Sequence, residues 1–387
     1  MTKNKRTVML IGHHTHPEIV TGAEKALLLF GSACLDLKLT VIWISPGPGL
    51  SYNRAAQMGM DAHIIPFPLL WSLIYEPNRL NEEIDLLKES AEGSLLDQAI
   101  AGYSPDLIVT NSAINGLPIF IRQIRNIPVW WYIHETIPQY QGIESLLTLI
   151  HSHADLILVP SASVARSISP VNFELAPIEL LPYGVDIPAQ KLVAKERKSI
   201  RINYGWSDKH IVIGWFGSIY YGKGLIELIK ACSFLQAGDN PIVILAAGNA
   251  GDYRYFQMCM NEAKQLKSAE FRYLGVLSNI SEVLPAVDLV AVTSLIEEAL
   301  PNVALEAMAF GKCIVAYNSG GLQEIVIDRE TGVLVNKEDT KSLAKMIDQL
   351  ANDPVKLKNM GKKARARVVQ QYRYDLFKKK IEKMINK

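Results

Sequence analysis

Long apolar runs are missing from this chain of 387 residues. A membrane-spanning helix needs about 20 consecutive apolar residues, and no stretch of the sequence approaches that length. The apolar segment at 8–11, which follows three early basic residues, is also too short for the apolar region of a secretory signal peptide. The sequence therefore predicts a cytoplasmic protein.

Metal-binding and disulfide patterns are missing as well. The chain has four scattered cysteines, Cys34, Cys232, Cys259 and Cys313. They form no Cys-x-x-Cys pair, which argues against a zinc site or a disulfide framework. No Asp-x-Asp pair occurs that could bridge a metal ion to a diphosphate, and the histidines within 13–16 lack carboxylate or cysteine partners at ligand spacing. We therefore expect no metal and no cofactor.

Net charge is close to zero, at +1, but it is unevenly distributed. Residues 1–190 carry a net charge of −7, and residues 191–387 carry +8. From Lys356 onward there are 12 basic residues and only two acidic ones. A solvated helical face is one interpretation of this segment, and peripheral contact with an anionic membrane is the alternative. We expect no nucleic-acid partner, because no module of interleaved aromatic and basic residues occurs.

Short β-branched runs alternate with amphipathic stretches along both halves of the chain. Strands are predicted at 7–11, 40–44, 62–65, 107–110, 129–134 and 156–159, then at 211–216, 242–246, 271–274, 289–292 and 313–316. Helices are predicted at 23–35, 83–101, 224–233, 253–266, 280–286, 303–310, 340–351 and 356–387. The alternation indicates βαβ units, and hence an α/β fold with two Rossmann-like, doubly wound parallel-sheet domains facing a central cleft.

A proline- and glycine-containing seam separates the two halves. It begins at Pro182 and continues into the charged, weakly apolar segment 191–198. We predict an N-terminal domain at 1–190, a C-terminal domain at 191–370 and a helix at 371–387 that packs back on the N-terminal domain. Ligands of open α/β sheets bind beyond the carboxyl ends of the strands, so the loops after the strands are expected to carry the function.

The most informative motif is EALPNVALEAMAFG at 298–311. Pro301 suits the first position of a helix, and Gly311 suits its end. The N–H groups of this helix start would face the loop 298–300, and such a start attracts phosphate. Glu306 would lie about 7.5 Å further along the helix axis, where a ribose diol could donate to it. A purely structural role for the two glutamates remains the alternative.

Two glycine-rich loops accompany this motif. In FGSIYYGKG at 216–224, glycine allows the backbone to approach phosphate, and Lys223 adds a compact positive charge. The glycine spacing of this loop is neither that of a P-loop nor that of a dinucleotide-binding motif. The alternative to a phosphate-binding loop is a tight loop with a solvent-exposed lysine. The third stretch, GGLQE at 320–324, is by itself only a glycine pair in a turn.

Taken together and in order, these stretches resemble family-4 glycosyltransferases of the GT-B fold. The resemblance covers about residues 205–372 and includes AGN at 247–249 and LGVL at 274–277. It is thinner in the N-terminal half. There TGAE at 21–24 is similar to the glycine loop that opens a helix in the family, and His134 follows a predicted strand as a family histidine does.

The resemblance implies a retaining, metal-independent glycosyltransferase of the hexosyltransferase type. Its donor would be a nucleotide sugar, UDP-linked in preference to GDP-linked, and its acceptor a glycan, a lipid-linked molecule or another hydroxyl compound. The family assigns the diphosphate to Lys223, the sugar hydroxyls to Glu298 and the ribose to Glu306. His134 would lie beside the transferred sugar, and His134, Lys223 and Glu298 are the expected catalytic residues.

The resemblance implies further donor contacts along the same loops. They are Gly22, Gly217, Ser218, Gly248, Asn249, Val276, Leu277, Ala299, Leu300, Pro301, Asn302 and Val303. Three positions depart from the family pattern: Ser218 replaces an arginine, and Ala299 and Thr21 each replace a glycine. Two alternatives therefore stay open. One is an epimerase or phosphorylase on the same scaffold, and the other is a nucleotide-binding, non-catalytic subunit of a glycosylation complex.

Overall fold

The computed structural model describes residues 6–387 except 14, 15, 17, 74–78, 90, 125, 140–142, 170–175 and 236–239. His14, one of the clustered histidines, thus lies outside the described residues. The chain divides into two compact units, one of Met1–Gly184 with Asp375–Lys387 and the other of Val185–Tyr374. The sequence-based boundaries at 190 and 370 fall a few residues from these divisions.

Within its described residues, unit 1 contains a seven-stranded parallel sheet in the order β3-β2-β1-β4-β5-β6-β7. The strands are β1 (Thr7–Ile11), β2 (Thr40–Ser45), β3 (Asp61–Ile64), β4 (Leu107–Asn111), β5 (Val129–Tyr132), β6 (Leu156–Val159) and β7 (Ile178–Leu180). The helices are α1 (Gly22–Asp36), α2 (Leu50–Gln57), α3 (Leu80–Glu89), α4 (Ala91–Tyr103), α5 (Leu117–Ile124), α6 (Ile143–Ser152) and α7 (Ala162–Ser167).

Unit 2 contains, over its described residues, a six-stranded parallel sheet in the order β10-β9-β8-β11-β12-β13. The strands are β8 (Ile211–Phe216), β9 (Ile242–Ala247), β10 (Ala269–Tyr273), β11 (Leu289–Val292), β12 (Cys313–Tyr317) and β13 (Gly332–Val335). The helices are α8 (Gln190–Tyr204), α9 (Leu225–Ser233), α10 (Tyr253–Ala263), α11 (Asn302–Ala309), α12 (Leu322–Ile325), α13 (Thr340–Ala351) and α14 (Pro354–Gln371). The last helix, α15 (Tyr374–Ile385), returns the chain to unit 1.

The central strands are apolar along their whole length because both faces of each sheet are covered. Every residue of β8, β9, β11 and β12 is buried. Helices on the two faces complete the core, in which Ile213, Leu228 and Ile347 are fully buried. The predicted α/β fold with two parallel sheets is therefore confirmed. None of the described helices is long and apolar enough to cross a membrane.

Local signals in the sequence explain several helix ends. Thr21 caps α1 through its hydroxyl, and Glu24 bonds back to the Thr21 amide, which forms a capping box. Asp339 and Asp353 cap α13 and α14 in the same way with their carboxylates. Gly205 ends α8 in the left-handed conformation, with a φ of 73°.

The structure corrects three of the predicted helices. The stretch predicted as one helix at 83–101 forms two helices, α3 and α4. Residues 280–286 form two separate 3-10 turns, Ile280–Glu282 and Leu284–Ala286, because Pro285 cannot donate the N–H that a continuous helix would use. The predicted helix at 356–387 is interrupted between α14 and α15. There the Val185 N–H donates to the Tyr372 carbonyl at 2.7 Å, so a backbone contact replaces helical bonding. The short strands β7 and β13 were not predicted.

A buried lysine lies at the amino edge of the second sheet, opposite the strand ends that carry the motifs. The Lys312 ammonium donates to two backbone carbonyls of the turn 285–287, at 3.0 and 2.8 Å. Arg197 and Arg201 pair with Asp288 beside it, at 2.6 and 3.1 Å. Burial, with repulsion from Arg197, lowers the pKa of Lys312 to about 7. Folding therefore disfavours the charged form of this lysine.

We predict a pH-dependent stability that originates at Lys312. In an unfolded chain its pKa is about 10.4, so between about pH 7 and about pH 10 the unfolded chain holds more of this proton. The native protein should lose stability relative to Lys312→Met as the pH falls through that window, by up to about 1.4 kcal/mol per pH unit. Denaturant titrations at several pH values measure this difference.

The exposed Lys209 provides the control. Lys209→Met should show a stability difference from the native protein that does not vary over the same pH range. A pH-independent difference for Lys312→Met would contradict the prediction.

Candidate functional site

The motifs of unit 2 meet where the strand order of its sheet reverses. The chain runs from β8 outward through β9 to β10, then returns to place β11 on the other side of β8. A reversal of this kind opens a crevice at the carboxyl ends of the two central strands, which is the usual ligand site of such sheets. The loop 217–224 follows β8, and the loop 293–301 follows β11.

An ion pair joins these two loops. The Lys223 ammonium lies 2.5 Å from Oε1 of Glu298, and the Ser294 hydroxyl donates to the same oxygen at 2.5 Å. The two side chains are 26% and 12% exposed, so water screens the pair only in part. Burial favours the neutral acid, yet Lys223 and the hydrogen bonds to the carboxylate lower the pKa of Glu298 overall. Burial likewise opposes the ammonium charge, but attraction to Glu298 leaves the pKa of Lys223 raised.

Glycine 224 allows the β8 and β11 loops to touch. Its φ is 66°, and a Cβ at this position would lie 1.9 Å from the Thr293 carbonyl oxygen. The Thr293 hydroxyl donates to the Gly224 carbonyl at 2.7 Å, and the Leu295 N–H donates to the Gly222 carbonyl at 2.9 Å. Backbone contacts that only glycine permits thus set the separation of Lys223 from the β11 loop.

The third motif, at 320–324, packs against the backbone of the first motif, at 298–311. A Cβ on Gly320 would lie 2.1 Å from the Glu298 carbonyl oxygen, and one on Gly321 would lie 2.0 Å from the Ala299 carbonyl oxygen. The Gly321 N–H donates to the Glu298 carbonyl at 2.7 Å. The glycine pair after β12 is therefore a surface against which the loop 298–300 packs, and the sequence did not show this role.

Helix α11 begins directly after this loop. Pro301 is the N-cap residue and Asn302 the first helical residue, which corrects the prediction that Pro301 opens the helix. Pro301 makes no side-chain cap hydrogen bond, and its carbonyl accepts from the Ala304 N–H at 3.1 Å. The N-terminal end of a helix is positively polarised and attracts anions. Glu306 is half-buried in the same helix, and Val303 is half-buried in its first turn.

The β9 and β10 loops lie on the other side of β8. A Cβ on Gly248 would lie 1.7 Å from the Gly217 carbonyl oxygen, so these two backbones are in direct contact. The Gly248 N–H donates to the Gly275 carbonyl at 2.9 Å, which joins the β10 loop to the same cluster. Val276 is 59% exposed there, and Ser218 is exposed in the β8 loop.

Unit 1 carries a second cluster, also at the reversal of its strand order, between β1 and β4. Nε2 of His134 lies 2.7 Å from Oδ1 of Asn111, and its Nδ1 lies 2.8 Å from the Tyr183 hydroxyl. The Asn111 amide nitrogen lies 3.1 Å from the Ala23 carbonyl oxygen and 2.9 Å from Nδ1 of His13. His134 and the start of α1, which holds Gly22, are therefore connected through Asn111.

The geometry assigns the protons of His134. The Ala23 carbonyl can only accept, so the Asn111 amide nitrogen donates to it and Oδ1 faces His134. Nε2 of His134 must then carry a proton, and Nδ1 can accept from the Tyr183 hydroxyl. Burial, together with His13, holds the pKa of His134 well below its usual value. His134 is thus a neutral imidazole at physiological pH.

Most of the predicted donor residues of unit 2 lie on neighbouring loops of one sheet edge, and Asn302, Val303 and Glu306 lie in α11, which follows one of these loops. His134 and Gly22 belong to unit 1. Sequence reasoning missed Ser294, Asn111 and Tyr183 as site residues. The available signals were that Asn111 and Ser294 follow predicted strands, at 107–110 and 289–292. Among the described residues, no group of three or more His, Cys, Asp or Glu side chains is placed to hold a metal ion.

Two family models match the chain, one for each half. Residues 20–188 match the model described as Glycosyltransferase Family 4, and residues 196–367 match the model described as Glycosyl transferases group 1. HepE of Anabaena, solved in complex with UDP-glucose, shares the fold with a TM-score of 0.79 and 20% identity, covering 98% of this chain and 99% of that chain. The protein belongs to the family-4 glycosyltransferases of the GT-B fold.

Curated relatives carry a range of substrates in their names. A GDP-mannose-dependent monoacylated alpha-(1-6)-phosphatidylinositol monomannoside mannosyltransferase of Corynebacterium glutamicum is 27% identical over 253 residues, which is 63% of this chain and 65% of that protein. The N-acetyl-alpha-D-glucosaminyl L-malate synthase of Bacillus anthracis is 34% identical over 180 residues, 46% of each. The match thus spans less than two thirds of the length of these relatives.

We predict that Gly224→Ala disrupts the contact between the β8 and β11 loops. The matched control is Gly205→Ala, because Gly205 has a similar φ of 73° but no heavy atom within 4 Å of an added Cβ. Gly205→Ala should cost about 1–2 kcal/mol of unfolding free energy through backbone strain alone. Gly224→Ala should cost about 2 kcal/mol more, since its methyl group meets backbone.

Urea unfolding measures both variants. Equal losses of unfolding free energy would show that the contact with Thr293 contributes nothing beyond backbone strain.

Proposed function

We propose that this protein is a retaining, metal-independent glycosyltransferase that transfers a sugar from a nucleotide diphosphate to a hydroxyl acceptor. The observation that carries the proposal is the placement of Lys223, Glu298 and the start of α11 together at the strand reversal of unit 2. A cation and a helix start suit a diphosphate, and a carboxylate beside them suits sugar hydroxyls.

The diphosphate would be held by electrostatics built into the fold. The Lys223 ammonium and the N-terminal end of α11 are both positively polarised, and both are fixed before any reaction. They would stabilise the charge that develops on the departing nucleoside diphosphate. Glu306 would accept from the ribose hydroxyls, and the exposed backbone around Val276 would pair with the base.

The chemistry proposed is substitution with retention at the anomeric carbon. The bond from that carbon to the phosphate oxygen breaks, and a bond from the acceptor oxygen forms on the same face of the sugar. The proton of the acceptor hydroxyl passes to the departing phosphate. Glu298 binds the sugar in this scheme and does not act as a nucleophile, because the acceptor oxygen attacks the anomeric carbon directly. Lys223 and Ser294 hold one of its oxygens in place.

The donor proposed is UDP-linked. Support comes from the fold shared with HepE, which was solved with UDP-glucose, although the related mannosyltransferase is named for GDP-mannose. The acceptor, whether glycan or lipid-linked, and peripheral contact with an anionic membrane stay predictions of the sequence. The exposed side chains of Lys358, Lys362 and Lys363 on α14 would provide that contact.

We predict that Lys223→Met lowers turnover by about 100-fold or more, because the leaving group loses its fixed cation. Release of nucleoside diphosphate from UDP-glucose and from GDP-mannose, with water or a panel of sugars as acceptor, measures turnover. Lys337→Met is the control, since Lys337 is a nearby lysine paired with Glu297. It should retain activity within a few-fold. Unchanged turnover in Lys223→Met would remove the assignment of the diphosphate to Lys223.

We predict that the product keeps the anomeric configuration of the donor and that a chelator leaves turnover unchanged. Retention follows from attack on the face that the phosphate leaves, and Lys223 takes the place that a metal ion would otherwise have. Proton NMR of the product and assays with EDTA test the two statements. An inverted product would refute the proposed step, and loss of activity that Mg²⁺ or Mn²⁺ restores would refute metal independence.

Incubation with the donor alone separates the rival enzymes. An epimerase would convert the nucleotide sugar without any acceptor, and a phosphorylase would need inorganic phosphate to release a sugar phosphate. A non-catalytic subunit would bind the nucleotide but would show no turnover, whichever acceptor is supplied. The assignment to a transferase requires that release of nucleoside diphosphate accompany formation of a glycoside.

A further inference from the structure

Basic residues are few in the loops at the carboxyl edge of the second sheet. In the loops after β8 to β12, which are residues 217–224, 248–252, 274–279, 293–301 and 318–321, Lys223 is the only lysine or arginine. The loop 336–339 after β13 contains Lys337, which pairs with Glu297. Ser218 stands where the resemblance would place an arginine. Because Lys337 pairs with Glu297, Lys223 is the cation of these loops that lies beside Glu298.

In the structure, the Lys223 ammonium group is already paired with Glu298. The ion pair is short, at 2.5 Å, and the carboxylate is only 12% exposed. Ser294 supplies the second donor to the same carboxylate oxygen. Taking Lys223 away would leave a largely buried carboxylate with one neutral donor, and leaving a buried charge unpaired is unfavourable.

We propose that Glu298 and a bound diphosphate compete for Lys223, and that the sugar of the donor relieves this competition. The inference rests on the proposed function and adds to it a rule for discriminating donor from product. When the nucleotide carries a sugar, the sugar hydroxyls donate to Glu298 and compensate it while Lys223 serves the phosphates. When the sugar has been transferred, Glu298 loses the sugar hydroxyls and pairs with Lys223 again. Lys223 then binds the phosphates less strongly, and the nucleoside diphosphate is released more readily.

Ser294 is a positioning residue in this scheme. Its hydroxyl donates a hydrogen bond to Oε1 of Glu298 and orients it. Ser294 and Lys223 therefore stabilise the negative charge of the carboxylate together. Without that hydroxyl, Glu298 depends more strongly on Lys223. A nucleoside diphosphate would then compete less well for the lysine.

The test is the affinity of Glu298→Gln for UDP and for GDP, titrated separately by calorimetry. The amide has the shape of the carboxylate but not its charge, so Lys223 becomes available to the phosphates. Affinity for the nucleoside diphosphate should rise on the order of tenfold. Affinity for UDP-glucose or GDP-mannose should rise less or fall, because the sugar loses an anionic acceptor.

A variant of the neighbouring Glu297 distinguishes competition for Lys223 from general electrostatic repulsion between a carboxylate and the bound phosphates. Glu297→Gln removes the same charge one residue away, from a side chain that pairs with Lys337 and is 48% exposed. It should change the affinity for UDP and GDP by less than about twofold. In a Lys223→Met background, Glu298→Gln should bring no gain, because there is no cation to release.

Three results would overturn the inference. They are no gain in nucleoside diphosphate affinity in Glu298→Gln, an equal gain in Glu297→Gln, or a gain that persists without Lys223. If Glu298→Gln does not fold, as judged by thermal unfolding, Ser294→Ala decides: it should weaken UDP and GDP binding a few-fold, and unchanged or tighter binding would overturn the inference. Failure of the native protein to bind any nucleoside diphosphate or nucleotide sugar would instead refute the proposed function, and the inference with it.

Discussion

The candidate site of the second unit depends on the ion pair between Lys223 and Glu298. The ion pair joins the loops of the two strands at which the order of the sheet reverses. Its lysine is the only basic residue in the loops that follow β8 to β12. A carboxylate this buried is stable only with its cation, and the cation is held only while the two loops stay in contact. The close approach at Gly224 and the packing of Gly320 on the Glu298 backbone are therefore requirements of the same arrangement.

Unit 1 uses the equivalent place in its own sheet for a different purpose. Asn111 ends the strand next to the reversal and connects His13, His134 and the start of α1 by hydrogen bonds. Burial lowers the pKa of His134 and favours its neutral imidazole. The imidazole can therefore make directional hydrogen bonds but carries no charge. One sheet edge thus carries a charged pair and the other a neutral network, although both follow from the same topology.

Much of the fold could be predicted from the chain because buried strands are short, continuous apolar runs and several helices carry their own caps. The misses have specific causes. The short strands β7 and β13 pair only through a neighbour that the sequence does not identify, and the turn at Pro285 lies in a stretch with helical periodicity. The break between α14 and α15 comes from Val185, a residue far away in the chain.

The sequence by itself determined the α/β class, the order of the motifs and the side chains at the candidate donor site, because apolar periodicity and motif spacing are local properties. Only the tertiary structure decided that Lys223 is paired with Glu298, that Ser294 shares that carboxylate and that Asn111 orients His134. These contacts join residues on different strands of a sheet. Strand order decides which loops become neighbours, and a local pattern carries no information about that order.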